Sequence, residues 1–527
     1  MTNPSYSTLS VAAILKESAD RTPDNIALVV GSQEITYANL WMQTCTYAGA
    51  LLARGVREGD AVAILIPNVA DFARTYFAIL SIGGIVVPIH ALLKADEIEY
   101  VLRDSGSTML ICAAPLLGQG AKGAGQAGIP VLSVLSPDPI EGIPQLETLA
   151  AEAEPIRTYL PRQPSDTATI LYTSGTTGKP KGAMGSHFAL VEQTNTLLLS
   201  TFDMRADDTV FGGLPLFHTF GQTCTLNTGL RAGAKIVLLP KFDGDSALRL
   251  LIDSGCTIMM GVPTMYIALL EAAKKTTERP KLRYAVSGGS SLPVAVIERF
   301  RAEFGVEIYE GYGLTETSPV ASFNHVGRTP RPGSIGTPIW GVEVEIARAE
   351  VEESIELLPI DELGEIVIRG HNLMKGYLNL PEESAKAVVD GWFRTGDLGT
   401  KDADGYIWIV DRKKDMILRN GYNVYPREVE EVLVAHPSVS SVAVFGVAHE
   451  VHGQEIMAVV VLSPGADVDT ATLAEFAKEK LAAYKYPRRV EIVEVLPLGP
   501  SGKVLKRELV AIYEREAAES LATPGEA

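Results

Sequence analysis

Cysteine is scarce in this chain: four residues in 527, at positions 45, 112, 224 and 256, with no C-x-x-C pair among them. That spacing argues against a disulfide framework and a structural zinc site, and reduced thiols in a cytoplasmic protein fit best. Positive charge is short as well. The 46 Lys and Arg face 64 Asp and Glu, a formal charge of −18. Nucleic acid and anionic membrane both select basic surface, so neither is expected as a partner, and the acidic surplus reads as solubility. No basic segment precedes an apolar stretch near Met1, so no cleavable signal peptide is expected. Two hydrolytic signatures are missing too, the G-x-S-x-G nucleophile elbow and the H-E-x-x-H zinc motif. One long uncharged run exists, Tyr76 to Leu93, close to the minimum membrane span of about 18 residues. Gly83, Gly84, Pro88 and His90 interrupt it. A helix ending at the glycines, followed by a buried strand Ile85–Val87, explains it better than a membrane span.

What the chain does contain is alternation. AVAILI (61–66), IVVPI (85–89), MLICA (109–113), KIVLL (235–239), IMMGV (258–262) and YAVSGG (284–289) are continuous apolar runs. Amphipathic stretches such as DFARTYFAILSIG, DSALRLLIDSG and PVAVIERFRAEFG lie between such runs or follow the last of them. Strand–helix alternation with apolar strands marks parallel sheets covered on both faces. Beyond about Gly333 the texture changes. VEVEIA (342–347), GEIVIRG (364–370) and GYIWIV (405–410) alternate at period two, which predicts an antiparallel, barrel-like portion. After Asp411 comes a charged cluster, DRKKD, and then a domain-sized remainder. The expected fold is therefore α/β: a large N-terminal domain, 1–411, and a smaller mobile α+β domain, 412–527, with a hinge at the charged junction. ESLATPGEA reads as a frayed end.

The stretch LYTSGTTGKPKGAM (171–184) follows an apolar strand and holds glycines, hydroxyls and paired lysines. It is not a Walker A loop: two residues separate Gly175 from Gly178, and Pro180 stands where a Mg²⁺-binding hydroxyl belongs. Glycine N–H groups and hydroxyls at the C-terminal end of a strand still suit anionic oxygens, with lysines to neutralise them. A plain surface linker is the competing reading, and the order imposed by the preceding strand and Pro180 disfavours it.

Together these segments resemble the adenylate-forming enzymes, which include acyl-CoA and aryl-CoA synthetases, firefly luciferase and the adenylation domains of peptide synthetases. YTSGTTGKPKG is similar to their phosphate loop, and PLFHTFG (215–221) to the segment beside the acyl pocket. SGGSSLP (287–293) and EGYGLTETSP (310–319) are similar to their nucleotide-binding segments. GEIVIRG, WFRTGDLG (392–399), DRKKDMILRNGYNVYPREVEE (411–431) and LPLGPSGKVLKREL (496–509) follow in the family's order, so the resemblance spans nearly the whole chain.

The resemblance implies ATP, Mg²⁺ and coenzyme A as ligands and a small carboxylic acid as substrate, with self-association left open. It assigns ATP or AMP contacts to Thr173, Ser174, Gly175, Thr176, Thr177, Gly178, Lys179, Lys181, Gly288, Gly289, Ser290, Gly311, Tyr312, Gly313, Asp397 and Arg412. Tyr312 would face the adenine, Asp397 the ribose hydroxyls, and Thr315 the α-phosphate. A carboxylate beside polyphosphate is repelled unless a hard cation intervenes, so Glu316 is the expected Mg²⁺ ligand. Lys503 matches the lysine that bridges carboxylate and α-phosphate, where a mobile ammonium stabilises developing charge. Lys414 matches the hinge, about which Lys503 would withdraw and Gly421 and Tyr422 would swing in to meet pantetheine. His218 is expected to gate the path between acid and thiol; a general-base role is weaker, because a thiol with a pKa of about 8.5 needs little help. Phe217, His218, Gly289, Gly313, Pro319 and Val320 are the implied acyl pocket. It holds no charge for a second carboxylate or an amine, so a medium- or long-chain fatty acid is expected, with a cinnamate-type aryl acid as the alternative. Transfer to a carrier protein, and a nucleotide-binding module that has lost catalysis, are the further alternatives. Leu498-Gly499 stands where many relatives carry a basic and a Thr-like residue.

Overall fold

The computed structural model describes residues 8–173, 179–449, 451–499 and 504–522. The expected phosphate-loop residues Ser174, Gly175, Thr176, Thr177 and Gly178, and the expected catalytic Lys503, lie outside them.

Two large sheets form the bulk of the molecule. In the six-stranded sheet the order is Val131–Val134, Met109–Ala113, Ala61–Leu65, Ile85–Pro88, Thr167–Thr173 and Lys181–Ser186. All of its pairs are parallel except the last, where Thr167–Thr173 turns back antiparallel onto Lys181–Ser186. The nine-stranded sheet is parallel through its centre, from Ile26–Val30 to Ile308–Gly313, with antiparallel strands added at both edges. Strands such as Ala61–Leu65 and Met109–Ala113 are buried at every position, as expected when both faces of a parallel sheet are covered.

The uncharged run from Tyr76 resolves as predicted. The helix Ala70–Ser81 is buried along nearly its whole length, Gly83 adopts φ +78°, and the strand Ile85–Pro88 follows. No helix among the described residues is long and apolar enough to cross a membrane.

A third sheet, antiparallel, joins Val342–Ala347, Gly364–Gly370, Trp392–Lys401, Val388–Val389 and Ile407–Arg412. The fourth belongs to the C-terminal part. Tyr422–Val424, Ile417–Arg419, Gly453–Leu462 and Val439–His449 lie in that order, and Arg489–Val493 runs parallel to Gly453–Leu462. The helices Pro426–Val434 and Thr470–Lys480 cover it, and Ile417, Val429, Leu433, Ile456, Val460 and Leu473 form a core separate from that of the large part. The change of sheet falls later than the expected boundary after Asp411. Arg412 still pairs with Asp397 inside the third sheet, and the chain changes sheets in the turn 413–416, which contains Lys414.

Candidate active site

The C-terminal ends of the central strands, the third sheet and the C-terminal part enclose one cleft of about 3180 Å³. Of the expected site residues that are described, Thr173, Lys179, Lys181, Phe217, His218, Gly288, Gly289, Ser290, Gly311, Tyr312, Gly313, Thr315, Glu316, Pro319, Val320, Asp397, Arg412 and Lys414 all line it. Gly421 and Tyr422 do not; Tyr422 is exposed and stacks on Tyr484 with ring centroids 4.8 Å apart. The residues flanking Lys503, Gly499 and Val504, do line the cleft, as do Lys506 and Arg507. The C-terminal part therefore presents Gly499, Val504, Lys506 and Arg507 to the cleft, while Gly421 and Tyr422 lie away from it.

Local structure explains the placements. Ile308–Gly313 delivers Gly311, Tyr312 and Gly313 to the cleft, and a single 3₁₀ turn, Thr315–Thr317, carries Thr315 and Glu316. The turn is fixed by Thr317, whose hydroxyl accepts from the Leu314 N–H at 2.9 Å and donates to the Pro319 carbonyl. Gly313 serves packing rather than pocket volume. A Cβ there would stand 1.7 Å from the Pro319 carbonyl oxygen, so only glycine lets the two strands meet. Gly289, at φ +82°, does leave room: a Cβ would meet nothing closer than Val262 at 3.4 Å.

Glu316 is a buried carboxylate, not a solvated one. The Tyr377 hydroxyl donates to its Oε1 at 2.8 Å, and the Tyr377 ring lies beneath the Lys181 ammonium at 5.1 Å. Burial and the Glu316 charge push the Tyr377 hydroxyl far above its ordinary range, so it remains a donor. Lys181 forms an ion pair with Glu383 at 2.6 Å, and Lys179 lies 5.2 Å from the centre of the Tyr100 ring.

Asp397 lies within the strand Trp392–Lys401 and is buried. Its Oδ2 accepts from the Tyr312 hydroxyl at 2.5 Å, and its Oδ1 lies 3.2 Å from Arg412 Nε. Glu365, held by Arg394 at 2.7 Å, accepts the Gly396 N–H at 3.0 Å and fixes the backbone just ahead of Asp397. Burial works against the Arg412 charge, and Asp397, Asp415 and Glu316 outweigh it, holding the guanidinium ionised. Lys414 is partly buried, and that burial, with Arg412 nearby, lowers its pKa.

His218 Nδ1 accepts the Phe220 N–H at 3.2 Å, and the neighbouring Phe217 packs edge-on to His90 at 4.3 Å. Phe220 also lines the cleft, its ring 3.2 Å from where a Cβ on Gly288 would stand.

Lys179, Lys181, Arg412 and Glu316 thus share one cleft with the buried Asp397. Cations for a polyphosphate, an oxygen donor for a hard cation and a carboxylate for a diol are the donor set that ATP and Mg²⁺ require, so the residues fit both. Sequence reasoning missed Tyr377, Glu365 and Glu383, each of which acts on an expected residue from a distant point in the chain.

The sequence profile of the AMP-binding enzymes matches residues 15–378, and that of the AMP-binding enzyme C-terminal domain matches 428–503. The chain belongs to the AMP-binding enzyme family. Among the relatives of this AMP-binding enzyme, a long-chain-fatty-acid–CoA ligase from Bacillus subtilis is 34% identical, covering 95% of this chain and 94% of the relative. A feruloyl-CoA synthase from an Amycolatopsis species is 36% identical over 93% of this chain and 96% of its own length. ATP-bound MatB from Rhodopseudomonas palustris superposes with a TM-score of 0.88 at 33% identity, covering 96% of this chain and 99% of that one. The AMP-binding enzyme described here is an ATP-dependent, AMP-forming acyl-CoA ligase that uses ATP, Mg²⁺ and coenzyme A.

Proposed function

We propose that this ligase activates an apolar monocarboxylic acid, a medium- or long-chain fatty acid. One observation carries the reading: the expected pocket residues Phe217, Pro319 and Val320, with Pro263 and Ile267 beside them in the cleft, bear no charge for a second carboxylate or an amine. A specific observation also favours a second reading, a flat aryl acid. The feruloyl-CoA synthase, which is named for an aryl acid, is as similar to this chain as the fatty-acid ligase.

In this proposal the acid displaces pyrophosphate at the α-phosphorus to give acyl-AMP, and the thiol of coenzyme A then displaces AMP. Mg²⁺ supplies charge neutralisation to the polyphosphate, with Glu316 holding it and Tyr377 orienting Glu316. Asp397 accepts from the ribose, Arg412 adds positive charge beside it, and Thr315 donates to the α-phosphate. Lys503 stabilises the negative charge that builds between carboxylate and phosphorus. The lid then turns about Lys414, withdrawing Lys503 and bringing Gly421 and Tyr422 to the pantetheine path, with His218 as gate.

A pyrophosphate-release screen across saturated C6–C18 acids, cinnamates and benzoates, with and without coenzyme A, tests the substrate. The highest kcat/KM is expected among the fatty acids, and a cinnamate in first place selects the second reading. Lys503→Ala tests the roles. Adenylate formation is expected to fall by roughly 100-fold or more, as when a group stabilising transition-state charge is removed. Conversion of supplied acyl-AMP and coenzyme A to thioester is expected to persist. Normal adenylation by this variant would remove the role assigned to Lys503.

A further inference from the structure

Arg427 opens the lid helix Pro426–Val434, yet its hydrogen bonds reach back to residues that precede the hinge. Its backbone N–H donates to Asp411 Oδ2 at 2.9 Å, and its Nη1 donates to the Ile409 carbonyl at 2.6 Å. Its Nε pairs with Glu431 one turn along the helix at 3.0 Å, and its side chain is only 11% exposed. Asp411 is buried, and its other oxygen accepts the Arg412 N–H at 2.7 Å. On the lid side, Lys506 pairs with Glu430 of the same helix at 2.7 Å and adds its positive charge near Asp411. Lys506 stands three residues after Lys503.

Ile409 and Asp411 belong to the third sheet; Arg427, Glu430 and Lys506 belong to the lid. A turn of the lid about Lys414 moves the second group and leaves the first in place, so both hydrogen bonds must break. We infer that Arg427 and Asp411 form a latch that positions the lid for the adenylation step and must release before the coenzyme A step. The inference rests on the two-pose reading proposed above. Arg427 and Asp411 are positioning residues, acting on the chemistry through where they hold the lid helix Pro426–Val434 and the Lys506 paired to it. A charge-assisted bond from a largely desolvated guanidinium exists in one pose only, so its loss shifts the populations of the two poses.

The test uses the full-length enzyme and reads the two half-reactions apart. One arm follows pyrophosphate release from acid and ATP without coenzyme A; the other follows thioester formation from supplied acyl-AMP and coenzyme A. Arg427→Ala is expected to slow the first roughly tenfold and leave the second unchanged or faster. Asp411→Asn, which keeps a side-chain oxygen to accept the Arg427 N–H, is expected to give the same pattern more weakly. Arg427→Lys is expected to restore part of the first rate. Melting curves identify any variant that fails to fold; if Arg427→Ala does, Arg427→Lys and Asp411→Asn carry the comparison. Equal slowing of both half-reactions, or no change in either, overturns the latch. The proposed role of Lys503, on which the first arm depends, fails differently: Lys503→Ala would then adenylate normally whatever Arg427 does.

Discussion

At the scale of single residues, Tyr377 has two neighbours at once, Glu316 at its hydroxyl and Lys181 above its ring. If Glu316 holds Mg²⁺, removing that hydroxyl leaves a metal ligand free to rotate. Partners of metal ligands matter by about 10- to 100-fold. Tyr377→Phe is expected to lower adenylation by about tenfold at limiting Mg²⁺, with partial recovery at high Mg²⁺. Pyrophosphate release across a Mg²⁺ titration checks this, and a loss that excess metal leaves untouched would place the effect elsewhere. The hydroxyl's role was not legible in the sequence. Tyr377 stands 61 residues after Glu316, and nothing in its neighbourhood of GYLNLPE marks it as a partner of a carboxylate.

Among elements, two glycines make opposite demands. Gly313 lies in a strand where a methyl group would stand 1.7 Å from the Pro319 carbonyl oxygen, so Gly313→Ala forces apart the two strands that support Glu316. A loss of about 3 kcal/mol or more is expected in chemical denaturation, together with activity. Gly421 meets nothing within 4 Å, but its φ is +80°. Gly421→Ala is expected to cost about 1–2 kcal/mol from backbone conformation and to impair the coenzyme A step selectively. The same comparison shows what was readable. The apolar runs at 61–66, 85–89, 109–113 and 258–262 became parallel strands within a residue or so, because burial on both faces writes itself into composition. The motif residues Tyr312 and Glu316 reach the cleft because they sit at or just beyond the end of the strand Ile308–Gly313. Asp397 itself was harder to place. TGDLG has the composition of a turn, and the strand through it is held between Gly364–Gly370, some way back in the sequence, and the following strand Ile407–Arg412. The partners Glu365, Glu383 and Arg427 stayed hidden for a related reason: isolated charges look like solvated surface until the fold brings their counterparts near.

Across the whole molecule, the interface between the large part and the lid holds a titrating group. Glu310 is buried, and that burial pushes its pKa up to about 7, against the Gly333 N–H that donates to it at 2.7 Å. Arg427 and Glu431 of the lid helix act on it in opposite senses, the first lowering and the second raising it. The folded enzyme binds this proton more tightly than the unfolded chain does. Its contribution is therefore fully present below about pH 4.5 and declines as pH rises through about 7. Glu310→Gln imitates the protonated form, so it is expected to stabilise the enzyme at pH 8 by up to roughly 3 kcal/mol and to make little difference at pH 4.5. Denaturation midpoints at the two pH values check it, and equal shifts at both would show that Glu310 does not titrate in this window. A last consequence follows from the four scattered cysteines. All are buried, and burial lifts their thiols, Cys45 to about 11 and Cys112 and Cys256 to about 12. An enzyme that makes a mixed anhydride and then offers it a thiol is exposed to acylating itself and to forming disulfides with its own co-substrate. With no thiolate of its own at neutral pH, this chain leaves coenzyme A as the sole sulfur nucleophile within reach of the anhydride.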